Sequence, residues 1–524
     1  MLNNRANVQA MTAKILWADD EIDLLKPHIL FLEERGYEVL TAKSGDEALE
    51  LVEDDEFDVI FLDENMPGLS GLDTLSRIRQ TNGTIPIIMI TKSEEEEIME
   101  EAIGSHISDY LIKPVNPNQI LLAIKKNLNR KDLVGQKTVT NYQREFRNLG
   151  MRLTDHLDAE EWKKIYEDVV YWELQLERSN DEGMKDVLRM QKEEANRIFS
   201  RFVSQNYSDW IKGSEDAPTL SHNVLKKNLF PELSNQTTFL VVIDNLRLDQ
   251  WKMIKPWLEE YFRIEREETY YAILPTATQY ARNALFAGMM PRDIQQMFPS
   301  QWKNEDEEGS KNNFEESFLS SQLKREGLNL RMSYNKVLNM KFGRKIAENF
   351  ANLLNNDLNV IVYNFVDMLS HARTEMEVIR ELADDEAAYR SLTVSWFEHS
   401  PLSDILKSIA ESGSNLVITT DHGSIRVKEP SKIVGDRNTN TNLRYKVGKN
   451  LSYRDKDVLA IRNPDDVLLP RLNVSSSYVF ALNDLFFAYP NNYNYYVNYF
   501  RGTFQHGGIS LEEIIVPYAH LRPR

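Results

Sequence analysis

Residues 58–71 read DVIFLDENMPGLSG. An apolar run from Val59 to Leu62 ends on the carboxylate of Asp63 and breaks at once into a Pro67-Gly68 turn. A short continuous apolar run closed by turn residues is the pattern of a strand buried on both faces. Working outward, KILWA (14–18), EVLTA (38–42), IPIIMIT (85–91) and DYLIKP (109–114) repeat it, with amphipathic stretches between them. Strands alternating with helices predict a parallel, doubly wound sheet from Lys14 to about Asn129. In such a sheet the side chains just past the carboxyl ends of the strands converge on one crevice. That rule gathers Asp19 and Asp20 after the first strand, Asp63 after the third, Thr91 after the fourth and Lys113 after the fifth.

A carboxylate that accepts a phosphoryl group needs a hard cation to neutralise both partners. Asp19 and Asp20 offer oxygen ligands for Mg²⁺ beside Asp63, and the Asn65 carbonyl completes the shell. Thr91 supplies a hydroxyl and Lys113 a point charge for the oxygens of the new phosphate. Lys113-Pro114 is read as a cis peptide that aims the lysine, and Tyr110 as a ring that swings inward when Thr91 is drawn to the phosphate. With DENMPGLSG and YLIKP intact, the stretch closely resembles the receiver domain of two-component response regulators. The resemblance implies a flavodoxin-like fold and phosphorylation of Asp63 by a sensor histidine kinase. It also implies a change in the face built from the fourth and fifth strands.

The chain has 524 residues, more than one hydrophobic core serves. Its 42% hydrophobic residues, with 22 Tyr, 22 Phe and 8 Trp, exclude a mainly disordered or fibrous protein. A net charge of −19 excludes a global nucleic-acid coat, and no basic recognition helix suggests direct, sequence-specific DNA binding. The absence of cysteine removes disulfides, thiolate zinc sites and a cysteine nucleophile, so any metal sits on His and carboxylates. The first fourteen residues lack the apolar core of a signal peptide and no run is long enough to cross a bilayer, so the expectation is a soluble, cytoplasmic protein without membrane insertion.

Between about Lys131 and Lys212 the strand runs vanish. Trp162, Ile165, Tyr166 and Val169 mark one helical stripe; Val187, Leu188, Ile198, Phe199, Phe202 and Val203 mark another. Asp158 with Glu161 reads as a capping box. After the polar GSEDAP (213–218), TTFLVVID, LNVIVYNFV and SNLVITT open a second α/β series. The expected organisation is a receiver over 12–130, a helical bundle connector over 131–212, a linker over 213–233 and an α/β domain over 234–524. Residues 301–317 (QWKNEDEEGSKNNFEES) read as a charged insertion. Residues 424–450 read as a locally basic one, seven Lys and Arg against two acids, either a cationic strip for a polyanion such as an oligonucleotide or a solvated loop.

The second α/β region places metal-ligand residues at its strand ends. Asp244 follows LVVI, Asp367 and His371 follow VIVYNFV, Asp421 and His422 follow LVITT, and His506 lies in QHGGIS. Imidazole with carboxylate suits Zn²⁺, and six ligands suit two ions. Two metals clamp the attacking and leaving oxygens of an in-line displacement. LPTATQYARNALFAG sets Thr276 and Thr278 at the start of a helix that closes with Gly288, where free N–H groups attract a phosphate. Arg282, one turn on, is placed to bind a phosphoryl oxygen or to be an ordinary helix-surface arginine.

This arrangement resembles the alkaline phosphatase superfamily, especially its nucleotide pyrophosphatase/phosphodiesterase branch. By that resemblance Asp244, the threonine nucleophile, Asp421 and His422 hold one zinc, and Asp367, His371 and His506 the other. The family's interval back from the helix glycine lands on Thr278, with Thr276 as the alternative. The whole chain resembles the PorX-type response regulators, which join a receiver, a helical connector and a PglZ domain. That resemblance implies a regulator of the type IX secretion system paired with a PorY-type kinase and dimerising on phosphorylation. It also implies contacts with a sigma factor and the secretion motor. Two expectations follow: a zinc phosphodiesterase acting on nucleotides or oligonucleotides, or a non-catalytic, zinc-stabilised docking module.

Overall fold

The five apolar runs of the N-terminal region become strands β1 (Lys14–Ala18), β2 (Glu38–Ala42), β3 (Val59–Asp63), β4 (Ile87–Thr91) and β5 (Asp109–Ile112) in the computed structural model. The structure describes residues 13–82, 85–91, 107–177, 182–233, 236–376, 385–436 and 439–524. The N-terminal twelve residues, read above as lacking a signal peptide, and Arg437 lie outside them. All five strands are parallel, in the order β2-β1-β3-β4-β5. Alternate side chains serve opposite faces of the sheet. Leu16, Ile60, Leu62, Ile87 and Met89 enter one core, while Ile15, Trp17, Val59, Phe61, Ile88 and Ile90 enter the other. Burial on both faces is why these strands read as unbroken apolar runs rather than alternating ones.

The chain divides into two compact units, Met1–Asn141 and Tyr142–Arg524. In the second, a six-stranded sheet uses β6 (Thr238–Ile243), β7 (Phe262–Tyr271), β8 (Met332–Val337), β9 (Leu358–Tyr363), β10 (Asn415–Thr419) and β11 (Ile515–Pro523). Its order is β7-β11-β10-β6-β9-β8. The four strands β10, β6, β9 and β8 are parallel, while β11 runs antiparallel to both neighbours. The parallel set brings the carboxyl ends of β6, β9 and β10 side by side at one edge of the domain, where ligands bind in open α/β sheets.

The middle segment is helical, chiefly Ala159–Glu177 and Glu182–Ile211. The expected capping box is present: Glu161 N–H donates to Asp158 Oδ1 and Asp158 N–H to Glu161 Oε2, each at 2.8 Å. These helices do not bury their stripes only against each other. Trp162, Ile165, Tyr166, Phe199 and Val203 belong to the same hydrophobic core as β6, β10 and β11. Polar ties reinforce the joint: Tyr271 Oη donates to the Ala159 carbonyl at 2.8 Å, and Asn196 Nδ2 to Glu512 Oε2 at 3.0 Å. Arg390 pairs with Glu173 and Glu177 of the first long helix and with Asp249, so the charges buried here are matched.

A shared core has a measurable consequence. Trp162 is 1% exposed and packs edge-on against Phe199 at 5.2 Å. Trp162→Ala leaves a cavity worth about 3–5 kcal/mol of stability. In denaturant unfolding the helices and the α/β domain are expected to lose structure together in one earlier transition, rather than the helices melting first.

Among the described residues no helix is long and apolar enough to cross a membrane.

Candidate functional site

In the receiver unit the strand ends bring the expected acidic group together. Asp19 and Asp63 are fully buried and Asp20 is exposed, and one oxygen of each lies within 4.8 Å of the others. Lys113 Nζ reaches Asp19 Oδ2 at 2.8 Å and Asp63 Oδ2 at 3.0 Å. Burial lowers the Lys113 ammonium, but these two carboxylates outweigh it and raise its pKa overall. Burial pushes the Asp63 carboxyl up, against the opposing pull of Lys113. Asp63 Oδ1 is buried without a hydrogen-bond partner, an acceptor that a cation or an incoming phosphoryl group would satisfy. Thr91 is buried at the end of β4, and its carbonyl accepts Lys113 N–H at 2.8 Å. Lys113-Pro114 is cis. Asn65 is exposed in the turn after β3, and Tyr110 is 41% exposed on β5.

In the second unit Asp244 leaves β6, Asp421 and His422 leave β10, and the three group their ligand atoms within 4.8 Å. Asp367 and His371 stand one turn apart on the helix Phe365–Glu375 that follows β9, and His506 joins them in a second triad. His506 is delivered by a short antiparallel pairing of Phe504–Gln505 with Ile425–Arg426, just beyond Asp421-His422. The two triads adjoin, because the rings of His422 and His506 stack at 4.3 Å. Gly423 lets this loop approach the backbone closely; a Cβ there would lie 2.0 Å from the Glu512 carbonyl.

Hydrogen bonds orient both imidazoles. His422 Nδ1–H donates to the Gly423 carbonyl and His506 Nδ1–H to the Thr276 carbonyl, each at 3.1 Å, which aims both Nε2 atoms at the carboxylates. Burial pushes His422 down to about 4. Burial also lowers His506, but the hydrogen bond and charge of Asp367 outweigh it and hold it at about 9. The Asp244 carboxyl is driven well above its usual range by burial, with the charges of Asp421 and Asp367 adding to the effect and Arg282 opposing it. Asp421 Oδ2 is buried without a hydrogen-bond partner. Three crowded carboxylates, one oxygen without a hydrogen bond and two imidazoles with Nε2 turned inward form a donor set that fits divalent cations.

The two threonines differ. Thr276 is fully buried and its hydroxyl is consumed, donating to the Gly508 carbonyl and accepting Gly507 N–H, both at 3.0 Å. Thr278 opens the helix Thr278–Ala287, which ends at Gly288 with φ +60°. Its Oγ lies 3.1 Å from His422 Nε2 and 3.4 Å from Asp244 Oδ1. Arg282 is neither a surface arginine nor open to a phosphoryl group. It is 1% exposed, with Nη1 on Asp244 Oδ2 at 2.5 Å and Nε on Glu315 Oε1 at 2.6 Å. It therefore positions Asp244.

Sequence reasoning missed three residues around this site. Asn245 adopts φ +64°, a conformation asparagine tolerates better than most residues. Its backbone N–H donates to Asp421 Oδ1 at 3.3 Å and its side chain to Asp367 Oδ1 at 3.5 Å, so it bridges the triads. Glu315 and Asn312 belong to the stretch read as a charged insertion. Glu315 is fully buried under Arg282, and Asn312 Nδ2 donates to the Thr278 carbonyl at 3.0 Å. The low apolar content hid them because their partners are polar groups far away in sequence. Among the described residues, the basic stretch 424–450 does not present a continuous cationic face. Arg444 is buried against Glu513 at 2.6 Å, Lys446 is buried on the Asn440 carbonyl at 2.9 Å, and Lys428 pairs with Glu193 at 2.6 Å.

Residues 224–521, more than half of the chain, match the family model described as the BREX system PglZ alkaline phosphatase-like domain. The chain belongs to the PglZ alkaline phosphatase-like family. Upstream of its PglZ domain, residues 132–211 match the PorX response regulator linker domain and residues 15–125 the response regulator receiver domain, which is the PorX-type architecture. The receiver of this PglZ protein is similar to the alkaline phosphatase synthesis transcriptional regulatory protein PhoP of Bacillus subtilis, 34% identical over 125 residues, 24% of this chain and 51% of that protein. It is equally similar to the transcriptional regulatory protein ResD of Bacillus subtilis, 34% over 122 residues, 23% of this chain and 50% of that protein. The chain spans about half the length of these curated relatives. A solved CheY-like receiver domain protein from Methanospirillum hungatei JF-1 is 28% identical, covering 23% of this chain and 95% of that one, with a TM-score of 0.22.

Proposed function

We propose that this protein is a phosphorylation-controlled response regulator whose PglZ domain is a two-zinc phosphodiesterase acting on nucleotide or oligonucleotide phosphodiesters, with Thr278 as nucleophile. The observation that carries the reading is the Thr278 hydroxyl, 3.1 Å from His422 Nε2 and 3.4 Å from Asp244 at a helix N-terminus, with a second triad one imidazole away. Asp244, Asp421 and His422, with Thr278, would hold one Zn²⁺, and Asp367, His371 and His506 the other. The ions would supply Lewis acidity and favour ionisation of a nearby hydroxyl. The chain's own part follows from its geometry. Asp244 and His422 orient the threonine hydroxyl, Arg282 holds Asp244 in place, and the start of the helix Thr278–Ala287 would favour a phosphoryl oxygen through its dipole. Asp367 lies 3.5 Å from His506 Nε2 and would share a cation with it.

In the receiver, Asp19, Asp20, Asp63 and the Asn65 carbonyl would hold Mg²⁺. Asp63 takes the phosphoryl group from a sensor histidine kinase of the PorY type, and Thr91, Lys113 and Tyr110 read it out. Phosphorylation-promoted dimerisation, a cytoplasmic location and a role in type IX secretion through a sigma factor and the secretion motor belong to the same proposal. They rest on the domain architecture.

The test is hydrolysis of bis(p-nitrophenyl) phosphate by full-length protein stripped with a chelator and then titrated with zinc, with and without acetyl phosphate. Turnover should vanish on stripping, return as about two zinc ions bind per chain, and change with acetyl phosphate. A zinc-loaded protein that hydrolyses no phosphoester would sink the catalytic reading in favour of the docking module.

A further inference from the structure

Lys192, Asn196 and Ser200 recur every fourth residue of the helix Glu182–Ile211 and so share one of its faces. All three grip one short segment, residues 509–512, just past His506. Ser200 Oγ donates to the Ile509 carbonyl at 3.2 Å. Asn196 accepts Leu511 N–H on Oδ1 at 2.7 Å and donates from Nδ2 to Glu512 Oε2 at 3.0 Å. Lys192 Nζ meets the other oxygen of Glu512 at 3.1 Å, together with Glu173 Oε2 at 3.0 Å and Glu386 Oε2 at 3.3 Å. Burial lowers the Lys192 ammonium, but these three carboxylates outweigh it and raise its pKa overall, so the lysine stays charged.

The gripped segment bears on both triads. Its backbone lies against Gly423, whose N–H donates to the Glu513 carbonyl at 3.2 Å and where a Cβ would collide with the Glu512 carbonyl. The Gly423 carbonyl in turn accepts His422 Nδ1–H. On its other side Glu513 Oε1 accepts Gly508 N–H at 2.8 Å, in the loop that carries His506. Cohesion between helix and domain does not need this polar face, since Phe199 and Val203 of the same helix already enter the shared core. Buried polar contacts add little net stability but admit a single geometry.

We infer that Lys192 and Asn196 are positioning residues for the metal site: through Glu512 they fix the stretch against which both His422 and His506 are set. The inference rests on the two-metal reading of that site. It gives the helix, which lies in the region matching the PorX linker domain, a part in the site rather than a spacer's role. A shift of this helix would then reach one imidazole of each triad.

The test reads the metal rather than turnover. Full-length protein is titrated with Zn²⁺ against a chromophoric chelator, and its Co²⁺ form is followed by visible absorption, which reports ligand geometry. Lys192→Met removes the charge at similar length; it should weaken zinc binding about tenfold, the scale of losing support behind a ligand, and shift the Co²⁺ bands. Lys192→Arg should restore both. Glu193→Gln breaks the 2.6 Å ion pair from the same helix to Lys428 and should change neither. Asn196→Asp keeps the acceptor for Leu511 but sets a carboxylate against Glu512. It should weaken zinc several-fold, and it carries the test if Lys192→Met does not fold. A merely cohesive role predicts a lower melting temperature with affinity and bands as in the parent. That result in the folded variants overturns the inference and leaves the phosphodiesterase standing, and an equal loss in Glu193→Gln overturns it as general loosening. A parent that takes up no zinc overturns the two-metal reading and this inference together.

Discussion

Thr278→Ala is expected to reduce kcat for bis(p-nitrophenyl) phosphate by about three orders of magnitude or more, the scale of losing a nucleophile. Zinc content should persist, because Asp244, Asp421 and His422 remain as one group and Asp367, His371 and His506 as the other. Thr276 gives the contrast. Its hydroxyl ties Gly507 and Gly508 to the start of the helix, and its carbonyl holds His506. Thr276→Ser keeps both hydroxyl bonds and should stay close to the parent in turnover and melting temperature. Thr276→Ala should melt earlier, by about 1–3 kcal/mol of lost stability, since it leaves Gly507 N–H without its acceptor. Loss of turnover in Thr276→Ser together with retention in Thr278→Ala would exchange the two roles.

The second large effect belongs to the receiver. Asp63→Asn should bring labelling by radioactive acetyl phosphate down to background, because an amide oxygen cannot replace the carboxylate as a phosphoryl acceptor. The substitution is nearly isosteric in a pocket where Lys113 already bridges to Asp19 at 2.8 Å, so the fold should be retained. Circular dichroism and an unchanged zinc-dependent basal rate would show that. Labelling equal to the parent would remove Asp63 from its proposed role. In the PorX-type architecture the same variant asks whether the receiver communicates with the PglZ domain at all. If it does, the response of diesterase turnover to acetyl phosphate should disappear along with the label.

How much of the site could be read without the fold depends on the kind of information each residue carries. The acidic pocket around Asp63 was legible because its members sit one or two residues beyond strands that announce themselves as apolar runs. The architecture of a parallel sheet makes those ends converge. Asp244, Asp367, His371, Asp421 and His422 of the second unit were legible for the same reason at β6, β9 and β10. His506 is different: no strand of the main sheet carries it, and it arrives through the two-residue pairing of Phe504–Gln505 with Ile425–Arg426. Asn245, Asn312 and Glu315 left no local trace, since a polar residue under a buried arginine or carbonyl looks like any solvated one.

By itself, then, the sequence determined the five parallel strands of the receiver, the helical middle with its Asp158–Glu161 cap, and the set of residues available for chemistry. These are features written in periodicity and in turn chemistry, which act over a few residues. Only the tertiary structure decided which hydroxyl is spent and which faces the carboxylates, and that Arg282 braces Asp244 instead of meeting solvent. It likewise decided that Arg444 and Lys446 are buried among partners rather than displayed as a cationic strip. The physical reason is that a charge or a hydroxyl has no fixed role until its surroundings set its solvation and its partners. Glu315 reaches Arg282 across 33 residues and Glu513 reaches Arg444 across 69, along directions that local pattern does not encode.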